Sequence, residues 1–323
     1  MNNDYDGYDE VKSQIPVSEQ LPIDMIQMTE HLFNYQTEKP IKKDTIQKYL
    51  YDIHTIRKIY DIHLLNNNFI FLYDFQKVLD IIKNKYNSIN SISNIVNSIA
   101  SILKRIPMYR YIYDEIYREL NLMISKEKQQ HHLDSENKLS STEKDKYLDW
   151  STILEVEPKI EDTEDKLLFF LYTQIPPRRL DDFSHLMLIS NDEHDNNKDN
   201  FVVVKDGLVS KIILNHYKTY SKYGKYVIND IPTKLNLSFI EHIKNKNIDI
   251  NDFIFTKGRN NFSKKISSLF QKYISIPITV NILRHSFITY VSKQNLSTKM
   301  KKEIAFQMGH SFVMQDEYRR IEN

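Results

Sequence analysis

Apolar residues recur at three- and four-residue spacing over much of the chain. After Asp44, a residue type suited to an N-cap, Ile46, Tyr49, Leu50, Ile53, Ile56 and Ile59 form one such stripe and predict an amphipathic helix. Further helices are expected at 71–84, 88–104 and 109–124, with Pro107 separating the last two. Residues 21–125 thus read as an all-helical domain. Residues 1–20 show no periodic apolar positions and read as a mobile tail. Residues 126–148 open with KEKQQHHLDSENKLSSTEKDK, polar and without a core pattern, and read as a linker. His131 and His132 lie there as solvated residues with no neighbouring candidate ligands.

The pattern changes near Trp150. A helix at 163–174 runs into Pro176-Pro177, which stop it. Residues 180–189 suggest a short helix before the polar loop SNDEHDNNKDN. Strand-like runs follow at 201–204, 208–217 and 225–231. Asp206-Gly207 marks a hairpin between the first two, and KTYSKYG turns between the second and third. Helical spacing then resumes at 235–246, 261–274, 279–293, 297–308 and 314–321. Residues 149–323 are therefore expected to form a mainly helical α+β domain with a small three-stranded antiparallel sheet. No internal repeat is visible.

Composition narrows the class. A length of 323 residues suits two domains, and 41% hydrophobic residues are enough for packed cores. The absence of cysteine excludes disulfides and thiolate metal sites and favours a reducing, intracellular compartment. No run approaches the ~18 apolar residues of a membrane-spanning helix. The first residues, MNNDYDGYDE, have the wrong character for a signal peptide. Net charge is only +1, but it is unevenly distributed: −6 over 1–30, +5 over 31–126, −9 over 127–204 and +11 over 205–323. Basic blocks of this kind can attract phosphates while a remote acidic segment cancels the total.

Four clusters carry candidate chemistry. In PPRRLDDFSHLML, Arg179 opens a short helix; alone it reads as easily as a surface arginine paired with Asp182. In NHYKTYSKYGKY, Lys218, Lys222 and Lys225 surround a turn between strands, a rigid place from which to present an ammonium, though a solvated turn would look the same. In TVNILRHSFITY, Arg284 sits amid Ile282, Leu283, Phe287, Ile288 and Val291. A guanidinium there is costly unless an anion or acid meets it. His285 beside it reads first as a packing residue. In FQMGHSFVMQDEYRRI, Gly309 suits a left-handed helix stop that turns His310 toward a cleft, and Tyr318 follows eight residues later. Among 21 tyrosines, the spacing to His310 singles this one out.

Together these clusters resemble the tyrosine recombinase (phage-type integrase) family. That family has an arginine, a hairpin lysine, a His-x-x-Arg motif, a Gly-His pair and a tyrosine, in that order. Here the order reads Arg179, Lys218, Asn281-x-x-Arg284, Gly309-His310, Tyr318, over residues 165 to 321. LRHSFITY followed by MGHS is the most specific stretch. Pro-Pro before the arginine is similar to the divergent integrases of large DNA viruses, virophages and related mobile elements. DTIQKYLYDI resembles, more generically, the family's core-binding domain.

The resemblance implies a DNA breaking-rejoining fold and site-specific strand exchange through a 3′-phosphotyrosyl bond, without metal, ATP or other cofactor. It makes Tyr318 the nucleophile, has Arg179 and Arg284 clamp the phosphate, and gives protonation of the leaving 5′-oxygen to Lys218, with Lys222 and Lys225 as alternatives. It has His310 donate to a phosphate oxygen. Its partner would be double-stranded DNA, held between the two domains and engaged by a dimer or tetramer; a viral protein would work in host cytoplasm or nucleus. Two departures stand out. Asn281 occupies the usual histidine position and cannot accept a proton, a role His285 could take over. Only five residues follow Tyr318, which puts docking on a neighbouring subunit by a C-terminal segment in doubt. Rival readings are a type IB topoisomerase or resolvase, and a DNA-binding protein that kept the fold and lost catalysis.

Overall fold

The computed structural model describes residues 43–60, 69–106, 109–134, 138, 141–190, 198–256, 258–312 and 319. The chain divides into two compact units, Met1–Ser135 and Glu136–Asn323.

The first unit is helical. The stripe following Asp44 forms α1 (Lys43–Tyr60), with Asp44 in its first turn rather than capping it. A 3-10 turn (Ile70–Tyr73) leads to α2 (Phe75–Lys85), whose first turn is capped by Asp74 accepting from the Lys77 amide. Ser88 caps α3 (Ile89–Arg105) in the same way. A helical turn (Arg110–Ile112) and a π-turn (Tyr113–Tyr117) then run into α4 (Arg118–Asp134). Helix α1 packs on α2 and α3, and α3 on α4. Their apolar faces bury Leu50, Ile53, Val78, Val96, Ile99 and Leu103 in one core. The segment read as a linker from residue 126 is helical to Asp134, because it simply extends α4 with solvated side chains. Ser141–Lys144 within that segment is a further helical turn.

The second unit is mainly helical around a small sheet. After α5 (Trp150–Leu154), Asp162 caps α6 (Thr163–Thr173) through the amides of Glu164 and Asp165. Pro176-Pro177 keep the chain extended, and α7 spans Leu180–Phe183 only. The expected helix to residue 189 is instead β1 (Leu186–Ile189), whose Leu186 and Leu188 are buried. Pairing with β2 (Asn200–Lys205) outweighs the three-residue spacing of Phe183 and Leu186. Then come β3 (Leu208–Leu214), β4 (Tyr226–Ile228), α8 (Thr233–Lys246), α9 (Arg259–Ile274), α10 (Val280–Lys293) and α11 (Thr298–Gln307).

The sheet corrects the expected three antiparallel strands: it has four, in the order β1-β2-β3-β4, and β1 pairs parallel with β2. The Asp206-Gly207 hairpin forms as its residue types dictate. Both have positive φ, 52° and 78°, which joins β2 and β3 in a tight antiparallel turn. One sheet face buries Leu186, Leu188, Ile212 and Leu214 with α6, α8, α9 and α10. Phe201, Val203, Ile189 and Ile213 form a second, smaller cluster. Among the described residues, no helix is long and apolar enough to cross a membrane.

Candidate functional site

The site is built on the end of α11. Gly309 takes φ +69°, its amide bonds the Phe306 carbonyl at 2.9 Å, and the His310 amide bonds the Ala305 carbonyl at 3.1 Å. This is the paired 5→2 and 6→1 arrangement of a Schellman stop. It satisfies carbonyls 305 and 306 and leaves those of 307, 308 and 309 to other donors.

Three arginines supply them. Arg178 Nη1 donates to the Gln307 carbonyl (2.5 Å), Arg284 Nη1 to that of Met308 (3.2 Å), and Arg179 Nη1 to that of Gly309 (2.5 Å). The negative end of a helix is a favourable place for cations. The extended Pro176–Arg179 segment also brings the Pro177 carbonyl to Arg284 Nη1, at 2.7 Å. Gly309 has to be glycine here: besides its φ, a Cβ would stand 2.9 Å from Arg178 Nη2.

Arg284 is fully buried in the middle of α10. Its Nη2 lies 2.9 Å from His310 Nδ1. A guanidinium can only donate, so Nδ1 must accept, and the neutral ring therefore carries its proton on Nε2. Burial, then the fields of Arg284, Arg179 and Arg178, lower the His310 pKa to about 3. His310 is thus a neutral hydrogen-bond donor held in a strongly positive field.

The second arginine of the pair, Arg179, is the N-terminal flank of α7 and is half-buried. The first, Arg178, is 1% exposed and ion-pairs through Nε with Asp182 Oδ2 at 2.7 Å. The alternative reading of Arg179 as the partner of Asp182 therefore falls to its neighbour, Arg178. The four-residue spacing from 178 to 182 was the signal that pointed to Arg178. Burial pushes the Asp182 carboxyl up, and Arg178 pulls it back.

The β3–β4 connection reaches the same corner. Thr219 Oγ1 donates to the Gly309 carbonyl at 3.1 Å. Lys218, immediately before it, is exposed; Lys222 and Lys225 are exposed as well. The root of the connection is fixed by Asn200, only 2% exposed, which donates to the Asp182 and His216 carbonyls and accepts from the Asn215 and His216 amides. Tyr217 OH closes the turn on the Gly224 carbonyl at 2.6 Å. Neither Thr219 nor Asn200 stands out in the sequence.

Arg179, Arg284 and His310 are thus brought together, with Lys218 one residue from a contact of the corner. Asn281 is exposed on α10, three residues before Arg284. His285 Nε2 lies 3.7 Å from the carboxylate of Glu143, on the 141–144 helical turn. Tyr318 lies outside the described residues. Among the described residues, no group of three or more histidines and carboxylates could hold a metal ion.

No family model and no curated protein matches the chain. Among solved structures it is similar to a crystal structure of XerA recombinase, at 14% identity and a TM-score of 0.41, covering 93% of this chain and 95% of that one. A similarity that distant leaves the functional reading to the site's own geometry.

Proposed function

We propose that the chain is a tyrosine recombinase that cuts and rejoins DNA strands through Tyr318. The observation that supports this best is the convergence of Arg179, Arg284 and His310 on the Gly309 corner, with Arg179 coming from 130 residues away in the sequence. On this reading the Tyr318 phenol oxygen bonds to phosphorus and the bond to the 5′-oxygen breaks. Lys218 gives the leaving oxygen its proton. The guanidiniums and His310 Nε2–H meet the charge that builds on the non-bridging oxygens. Their existing protein contacts hold them in place beforehand, so little reorganisation is needed when the phosphate arrives. Rejoining runs the same steps in reverse with a 5′-hydroxyl from another strand. The partner is double-stranded DNA, and exchange between two duplexes calls for at least two copies of the protein. Asn281 can donate to an oxygen, and the phenol proton passes to solvent.

A nicked suicide duplex tests this. A protein–DNA adduct on a denaturing gel is expected, and Tyr318→Phe should abolish it. An adduct that survives the substitution rules out this nucleophile. DNA binding with no adduct would mark a protein that keeps the fold and lacks the chemistry. Relaxation of a supercoiled circle without transfer between duplexes would favour the topoisomerase reading.

A further inference from the structure

The sequence offers two adjacent arginines, and the structure gives them different surroundings. Arg179 is half-buried at the corner, whereas Arg178 is sealed within the protein. The Arg178 guanidinium meets four segments at once. It pairs with Asp182 of α7 and donates to Gln307 at the end of α11. Its carbon lies 5.0 Å from the centre of the Tyr217 ring and 4.6 Å from that of Tyr226. Those two tyrosines flank the turn that carries Lys218. Tyr226 also packs edge-on against Phe306 of α11, at 5.4 Å. A planar cation between aromatic faces and a helix end fixes direction as well as distance.

We propose that Arg178 is a positioning residue that sets the Lys218 turn against the His310 corner. The proposal rests on the strand-cleavage reading, since it is the alignment of the general acid that Arg178 governs. Its charge is already met by the buried Asp182 carboxylate at 2.7 Å, and its Nη1 is taken by the Gln307 carbonyl. The corner keeps Arg179 and Arg284 when Arg178 is changed, so the turn is the part that shifts.

The test uses the full chain and two forms of the cleavage substrate, one with the normal bridging 5′-oxygen and one with sulfur in its place. A thiolate leaves without needing a proton, so the sulfur substrate bypasses the general acid. The variants are Arg178→Lys, which keeps the charge but loses the plane, and Tyr226→Leu, which keeps the ion pair but loses one aromatic face. On the oxygen substrate each should slow single-turnover adduct formation by about 100-fold, the low end of what a placed general acid supplies. On the sulfur substrate the loss should shrink to less than about 5-fold. Equal losses on both substrates would overturn the proposal and put Arg178 at the phosphate itself. Hydrogen exchange on the DNA-free protein gives a second measure. In Arg178→Lys the amides of 217–226 should exchange faster than in the parent, and unchanged exchange there overturns the proposal whatever the activity. Should the parent chain form no adduct on either substrate, the cleavage reading fails, and exchange alone still decides whether Arg178 holds the turn.

Discussion

Each unit buries a histidine near arginines, and the two do different work. In the helical unit, His54 sits at 4% exposure on α1, and burial, then Lys58 and Arg57, lower its pKa to about 4. The buried Asp52 of the same helix is satisfied within the core. Asp52 takes Lys48 at 2.7 Å one turn away and the Ser98 hydroxyl of α3 at 2.8 Å. At the Gly309 corner the cations come from residues 178, 179 and 284 and share one helix end and one imidazole. Satisfying each buried polar group is what a core requires. Convergence from remote segments, with donors lined up on a few atoms, is what binding an anion requires.

The sharpest way to break this contrast is to remove one member from each place. Arg284→Ala should lower strand cleavage by about 1,000-fold or more, as expected when a preorganised donor to a developing charge is lost. DNA affinity should fall far less, since many phosphate contacts share it. His54→Gln should leave the cleavage rate of folded protein near that of the parent. Single-turnover adduct formation and a binding titration measure the two quantities separately. A matched loss of rate and affinity in Arg284→Ala would assign the arginine to ground-state binding.

Much of this arrangement was legible in the sequence, and the failures have physical causes. The Asp206-Gly207 hairpin and the Pro176-Pro177 stop are local rules and appear as expected, as does the α1 stripe apart from Ile59, which is exposed. Arg284 amid apolar residues announced a buried cation, and Gly309 announced a left-handed helix end. Leu186–Ile189 misled because strand or helix is decided there by a partner, β2, that lies across a polar loop. Arg178 was overlooked because two adjacent arginines look alike until the fold shows which one faces inward. Asn200 was invisible because its four hydrogen bonds unite α7, β2 and the lysine turn, which only tertiary structure brings together.

Acid should weaken both places. The His54 pKa is about 4 when folded and 6.5 when exposed, so between those values the unfolded chain binds the extra proton. Stability conferred by the neutral ring is therefore complete above about pH 6.5 and declines as pH falls toward 4, by about 3 kcal/mol in all. His310 has the same sign, with its window reaching down to about pH 3. Chemical denaturation at stepped pH should show this slope, and His54→Phe should flatten the helical unit's share of it. A bound phosphate would offset the arginine fields at His310 and raise its pKa, so DNA should reduce the acid sensitivity of the second unit while leaving the His54 share in place.

A finer comparison sets two glycines of the second unit against each other. Gly207 in the hairpin has φ +78° and nothing within 4 Å of a Cβ built on it. Gly309 has a similar φ, +69°, but a Cβ there meets Arg178 Nη2 at 2.9 Å and Arg179 Nη1 at 3.4 Å. Gly207→Ala should therefore lose only the conformational preference, about 1 kcal/mol, with cleavage unchanged. Gly309→Ala should lose that and more, about 2–3 kcal/mol, because the crowded atoms are well-anchored guanidiniums rather than loose side-chain ends. Its cleavage rate should drop as well, since the arginines can make room only by leaving the carbonyls that align them. Paired denaturation curves and adduct assays would test this. Equal stability losses in the two variants would mean that the arginines yield without effect, and that the corner is looser than its hydrogen bonds imply.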